Sequence, residues 1–254
     1  MANVAIANNY DNIIQFELVK GNKNVNTRDS LDNRAGKDTE VYAFRTKEEI
    51  ATMINVLDKH INEAENDNQR QIAYRNKMLF IIGINVGIRG SDLRTLQWSF
   101  FFDKQEDGDL NFKTFYTLQP LKQRKQKKYV KLFFNQAVKQ VIENYVSEYP
   151  IENLDDYLFA SRKGDKPVTV KTLWRIIKET ANEAGIEQNI GSHSLRKTFG
   201  FWCWHEAEDK NKALVVLQQI FNHSSTNVTS KYIGILDDEM KDMFNSIELG
   251  LDMI

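Results

Sequence analysis

The sequence predicts a mainly helical α+β domain with a small antiparallel sheet, and three observations carry that prediction. Thr46-Lys47-Glu48-Glu49 has the form of a capping box, opening a segment whose apolar positions Ile50, Met53, Ile54, Leu57 and Ile61 recur at helical spacing. Residues 68 to 86 form a longer helical run that becomes strongly apolar through Met78-Leu79-Phe80-Ile81-Ile82, the expected buried spine. Between about 100 and 132 the pattern changes to short aromatic and β-branched runs, Phe100–Phe102, Phe112–Leu118 and Tyr129–Leu132. Asp107-Gly108-Asp109 is the expected turn between the first two.

Taken in order, residues 1–43 are an Asn-rich, polar arm with little periodicity, expected to be largely extended or disordered. Ile13–Val19 is its one candidate for a short strand or helical turn. The body is expected over 44–235. Gly87 is placed to end the spine helix and Ser91 to cap the next one, so Arg89 falls in a tight junction between packed helices. Asn135 opens a helix that Pro150 stops, and Thr169 leads into one containing Leu173, Ile176, Ile177 and Ala181, ending near Gly185. Ser192 is the expected cap of the next, with Phe199, Trp202 and Cys203 as its inward stripe. A charged loop over 206–212 and a short apolar helix over 214–221 follow, then Ser225 or Thr226 as a cap before Tyr232. Residues 236–254 read as an acidic amphipathic tail helix with an apolar stripe of Met240, Met243, Phe244, Ile247 and Leu251.

With 254 residues, 41% hydrophobic and 27% charged, the chain has the composition of an ordinary globular protein with ample core. No apolar run reaches membrane-spanning length and the N-terminus lacks a basic segment followed by an apolar one, so a cytoplasmic protein is expected. The single Cys203 excludes an internal disulfide and is expected as a buried reduced thiol. A net charge of −1 argues mildly against nucleic acid, but the distribution argues for it. Residues 122–131 hold six basic residues and no acid, whereas the tail after Tyr232 carries Asp237, Asp238, Glu239, Asp242, Glu248 and Asp252 against Lys241.

The chemistry-bearing stretch is Gly191-Ser192-His193-Ser194-Leu195-Arg196. His193 and Arg196 stand three apart, so on a helix they share a face and can converge on one small anion. On its own this pattern also describes a plain surface His and Arg. Its context is Val86-Gly87-Ile88-Arg89-Gly90-Ser91-Asp92-Leu93 upstream and Phe221-Asn222-His223-Ser224-Ser225 downstream, with Tyr232 nine residues after His223. In these three boxes, in this order, the chain resembles the tyrosine recombinases of the phage-integrase type, which are marked by G-[LI]-R-x-S-[ED]-L, H-x-L-R and L-G-H-S-S with a tyrosine nine residues on. Phe221-Asn222 departs from the usual Leu-Gly, and Asn222 is a residue that tolerates the left-handed turn.

The resemblance implies a tyrosine-recombinase catalytic-domain fold and a site-specific strand transferase. Such an enzyme passes through a 3′-phosphotyrosyl intermediate and a four-way junction, with no cofactor, metal or ATP. It implies Tyr232 as nucleophile, Arg89 and Arg196 as clamps on the non-bridging oxygens, His193 as base and His223 as a phosphate ligand. Lys122 becomes the acid for the leaving oxygen, with Lys125 its rival, and Asp92 a buttress for an arginine. Arg124, Lys125, Lys127, Lys128 and Lys197 are the expected DNA-contacting cations. The implied partners are duplex recombination sites, copies of the same chain assembling as a tetramer on DNA with the tail exchanged or folded back, and an accessory DNA-bending protein. A helical DNA-clamping domain usually precedes the catalytic one, and forty-odd residues are too few to form it.

Three rivals remain open at this stage: a relaxing topoisomerase or telomere-resolving enzyme, a non-catalytic DNA-binding module of the same fold, and a helical scaffold. A zinc site from His193, His205 and His223 is disfavoured, because the sequence has no H-x-x-x-H and no paired Cys/His spacing. It likewise has no glycine-rich loop of the nucleotide-binding type.

Overall fold

A computed structural model describes residues 40–106, 108–122, 128–162 and 166–247. The expected strand or turn at Ile13–Val19, Asp107 in the first turn, and Leu251 in the tail stripe lie outside the described residues. The capping box forms as read: Thr46 accepts from Glu49 N at 3.1 Å, and Glu49 Oε2 accepts from Thr46 N at 3.2 Å, opening α1 (Lys47–Asn62). Asn66 caps the spine helix α2 (Asp67–Val86), which buries Met78, Leu79, Phe80 and Ile82 completely. Gly87 ends it in the left-handed conformation, φ 64°, where a β-carbon would also strike the Phe199 ring.

The next helix, α3 (Gly90–Leu93), corrects one expectation. Arg89 rather than Ser91 holds the N-cap position without a side-chain cap bond of its own, and the Ser91 hydroxyl is buried without a partner among the described residues. The aromatic segment also differs from the expected three strands. Trp98–Phe100 is a turn of 3₁₀ helix, and the remainder forms two separate antiparallel pairs: β1 (Phe102–Lys104) with β2 (Leu110–Phe112), and β3 (Phe115–Leu118) with β4 (Val130–Phe133). The single strand expected over Phe112–Leu118 is broken because Lys113 leaves the ladder. Its backbone N–H donates to Phe101 O and its ammonium to Ser99 O. The basic residues 122–128 then lie in the connection between β3 and β4.

Helix α4 (Gln136–Glu148) carries its expected Asn135 cap, and α5 (Val170–Glu183) is capped by Thr169, the last residue of the segment expected to lead into it. In α6 (Ser192–His205) the cap is Gly191, not Ser192, and Ser194 reaches back to accept from Gly191 N. Its buried face is Leu195, Thr198 and Phe201; of the expected stripe, Phe199 and Trp202 are half-buried against the smaller cluster and only Cys203 lies outside it. Cys203 is an exposed residue, not a buried one, although its sulfur is enclosed enough by neighbouring chain for desolvation to push the thiol up to about 11. Helix α7 (Lys210–Phe221) begins at an Asp209 cap, earlier than expected. It ends on Asn222, whose φ of 52° and ψ of 49° realise the left-handed turn. Ser225 caps α8 (Thr226–Ile233), and α9 (Ile235–Asn245) follows through Gly234.

Two clusters of buried side chains divide the work. The larger joins α1, α2, α4 and α5 through Phe44, Met53, Leu79, Ile142, Leu173 and Leu195. The smaller holds Phe201, Leu217, Phe221, Ile233 and Ile235 together beneath the C-terminal helices. Helix α6 belongs to both. At Gly200 it lets Ile233 and Phe221 approach so closely that a β-carbon would stand 2.6 Å from Ile233 and 2.9 Å from Phe221. The body also begins earlier than residue 44. Ala43 is buried, Tyr42 N donates to Asn189 O, and Glu40 pairs with Lys197 at 2.7 Å.

Candidate active site

The site forms where three chain breaks meet: the Gly87 turn, the start of α6, and the Asn222 turn into α8. Arg196 sits at the centre, buried, donating Nη1 to Gly87 O at 2.6 Å and Nη2 to Phe221 O at 3.1 Å. The two left-handed turns thus supply the carbonyls that hold it, and its guanidinium lies 4.2 Å from the Phe221 ring centroid. Burial depresses its pKa to about 10, with Tyr232 opposing and Arg89 reinforcing that shift, so it remains charged at neutral pH. A fixed guanidinium with no direct carboxylate partner among the described residues is a strong local positive field.

Arg89 is half-buried in the same junction, and no described residue accepts a hydrogen bond from its guanidinium. Its charge reaches the pKa of His193, His223, Tyr232 and Arg196 alike, which places it among them. His193 is exposed, yet local desolvation lowers its pKa, followed by Arg196, Lys122, Arg89 and Lys197. At neutral pH it is an unprotonated imidazole able to take a proton. Half-buried His223 is likewise lowered, by desolvation and then by Arg196 and Arg89. Its Nδ1 lies 3.1 Å from Thr229 Oγ1, and that hydroxyl also reaches Ser225 O at 3.2 Å. Thr229 has one proton to give, so its choice between Ser225 O and the ring selects the His223 tautomer.

Tyr232 stands against this cluster, its ring 5.1 Å from His223 and 5.5 Å from Phe221. Burial raises the phenol's pKa, while Arg196 and Arg89 pull it down; burial wins. Its oxygen is buried and makes no hydrogen bond of good geometry among the described residues, although Arg196 comes close enough to favour the phenolate. A buried hydroxyl without a partner is a costly feature, and such features concentrate where chemistry is done.

The expected lysines separate. Lys122 is exposed at the edge of the site and near enough to depress His193. Its neighbour Leu121 is pinned by its backbone N–H, which donates to buried Asp92 Oδ1 at 2.8 Å. No ion pair joins Asp92 to an arginine among the described residues; its carboxylate instead ties the Arg89 helix to the segment bearing Lys122. Lys128 donates to Asn222 Oδ1 at 2.8 Å. Arg124, Lys125 and Lys127 lie outside the described residues. Lys197 is placed differently from an open DNA-facing cation. It is buried, pairs with Glu40 at 2.7 Å, and sits 5.6 Å from the Tyr232 ring centroid. No three His, Cys, Asp or Glu side chains gather as a metal-binding group among the described residues. No helix among them is long and apolar enough to cross a membrane. Sequence reading missed Thr229, Glu40 and Arg45. Only Thr229 left a signal, as a hydroxyl inside the helix that Ser225 caps.

Comparison with known proteins agrees with this architecture. A probable integrase/recombinase of Bacillus subtilis, YoeC, is 36% identical over 164 residues, 65% of this chain and 80% of that protein. The tyrosine recombinase XerH of Campylobacter jejuni is 29% identical over 220 residues, 84% of this chain and 55% of that one. The XerA recombinase structure superposes with a TM-score of 0.56 at 19% identity, covering 84% of this chain and 66% of its own. XerH bound to its palindromic difH substrate superposes at 0.54 and 20% identity, covering 80% and 53%. The chain thus spans only about half of XerH, and these likenesses to solved structures speak to the fold alone. The model of the phage integrase family matches residues 45–239, a span that includes Arg89, Lys122, His193, Arg196, His223 and Tyr232, and the chain belongs to that family.

Proposed function

We propose that this chain is the strand-transferring part of a site-specific DNA recombinase that cuts and rejoins duplex DNA through a 3′-phosphotyrosyl link and a Holliday junction. The observation that carries this reading is the gathering of a buried, unpartnered phenol with two guanidinium groups and two neutral imidazoles. In the proposed step the Tyr232 oxygen attacks phosphorus and its proton passes to His193. The bond from phosphorus to the 5′-oxygen breaks, and that oxygen takes a proton from Lys122. Arg89 and Arg196 hold the two non-bridging oxygens, and His223 contacts the same phosphate. The phosphodiester's energy is kept in the tyrosyl ester, so the reverse step by a 5′-hydroxyl restores DNA without ATP.

The likeness to named tyrosine recombinases, one solved on its DNA substrate, supports duplex DNA as partner. Arg124, Lys125, Lys127 and Lys128 are the proposed phosphate-contacting cations, with Lys122 preferred over Lys125 as the acid because it borders His193. Met243 and Phe244 on α9 and Ile247 just beyond its end are 68%, 75% and 60% exposed, an apolar stretch suited to a neighbouring copy in a tetramer on DNA. An accessory DNA-bending protein is a further proposed partner, and the site of action is the nucleoid.

The test uses a duplex with a nick near the scissile phosphate, so that the released fragment diffuses away and the covalent product accumulates. Wild type should form a protein–DNA adduct that survives denaturation. Arg196→Ala should lower its rate by about 10²–10³ while leaving DNA affinity nearly unchanged. Equal adduct formation by Arg196→Ala and wild type would overturn the assignment.

A further inference from the structure

The short strap ahead of α1 grips the nucleophile's helix from behind. Arg45 Nη2 donates to Gly234 O at 2.8 Å, and Gly234 closes α8 two residues after Tyr232. Gly234 is at once the C-cap of α8 and the N-cap of α9, so the Arg45 donor fixes the backbone at the junction of the two helices. The fit is close. Gly234 adopts φ 79°, and a β-carbon on it would stand 2.4 Å from Arg45 Nη2, so bond and turn exclude any larger residue.

The grip is held rigidly on the other side. The Arg45 guanidinium lies 5.4 Å from the Phe201 ring centroid, and Arg45 N donates to Glu49 Oε2 at 2.7 Å. Next to it, Phe44 N donates to Thr198 Oγ1 and Trp202 Nε1 donates to Phe44 O, both at 2.9 Å. Thr198 and Trp202 belong to α6, the helix that carries His193 and Arg196. A second tie runs from the same strap through Glu40 to Lys197, whose ammonium faces the Tyr232 ring. The strap therefore spans from the phosphate-gripping helix to the helix bearing the phenol.

The geometry points to Arg45 as a positioning residue for Tyr232: its bond to the Gly234 carbonyl sets where the phenol oxygen stands relative to Arg196 and His193. This rests on Tyr232 being the nucleophile. The test compares Arg45→Met, which keeps length and packing without a donor, with Arg45→Lys, which keeps a cationic donor. Adduct rate on the nicked duplex is read as a function of DNA concentration. Arg45→Met should lower the saturated rate roughly tenfold or more with the half-saturating DNA concentration unchanged. Arg45→Lys should recover most of that loss. If Met and Lys variants behave alike, or if the Met variant loses only DNA affinity, Arg45 is packing and the inference is wrong. If wild type itself forms no adduct, the failure lies in the proposed function instead.

Discussion

Replacing Tyr232 by phenylalanine removes one oxygen that is buried and makes no hydrogen bond of good geometry among the described residues. Leaving a buried hydroxyl unsatisfied costs about 1–3 kcal/mol, so its removal returns part of that cost. The attraction of the oxygen to the nearby Arg196 and Arg89 guanidinium groups offsets some of the gain. The ring's packing on Phe221 and His223 is untouched by the change. The net expectation is a stabilisation of about 1 kcal/mol, which for a chain of this length raises the melting temperature by about 2–4 °C. Thermal and urea unfolding of both proteins in the absence of DNA would measure it. A phenol well bonded inside the fold would behave in the opposite way, losing about 1 kcal/mol on truncation. Destabilisation of that size would refute the picture of a nucleophile held unpartnered for its phosphate.

The pH dependence follows from His193 and His223, both below the ordinary 6.5 of imidazole. Adduct formation should hold from pH 8 down to about 6.5 and fall only below it, as His193 gains its proton. Over the same range, falling pH protonates the unfolded chain first, so stability should also decline below pH 6.5; a gain in stability there would contradict the depressed values. Asp92→Ala frees the Leu121 backbone and should cut the adduct rate about tenfold with DNA affinity nearly unchanged, as measured by single-turnover kinetics and gel shift. Gly200→Ala forces a β-carbon against Ile233 and Phe221 and should cost about 1–3 kcal/mol in urea unfolding. Neutralising any one of Arg124, Lys125, Lys127 or Lys128 should reduce the slope of log affinity against log salt by about 0.9 if that residue meets a phosphate.

Much of the fold was legible because it rests on local rules. Thr46, Asn135 and Thr169 cap helices that open a 3.6-residue apolar period, and Gly87 and Asn222 end them in the left-handed conformation that glycine and asparagine adopt at least cost. The motif boxes were legible for the same reason: each is a turn followed by a helix start. Ser91 and Ser192 misled because a serine before an apolar run is a good cap only if its own backbone stays outside the helix, and here Arg89 and Gly191 take that place. The broken strand at Lys113 depended on carbonyls of Ser99 and Phe101, partners that no local pattern in 112–118 announces. The placement of Lys197 depended on Glu40, a residue 157 positions away. Long-range ion pairs and hydrogen bonds leave no periodicity behind, which is why both the strap and its hold on Gly234 were invisible until the chain was folded.

The central claim is that Tyr232 itself attacks the phosphate. Digesting the trapped adduct with protease and nuclease and sequencing the modified peptide by mass spectrometry tests it most directly. The account predicts a nucleotide phosphate on the peptide containing Tyr232, joined through the DNA 3′ end. A modification on any other side chain, or a DNA strand cut with no protein attached, would contradict it.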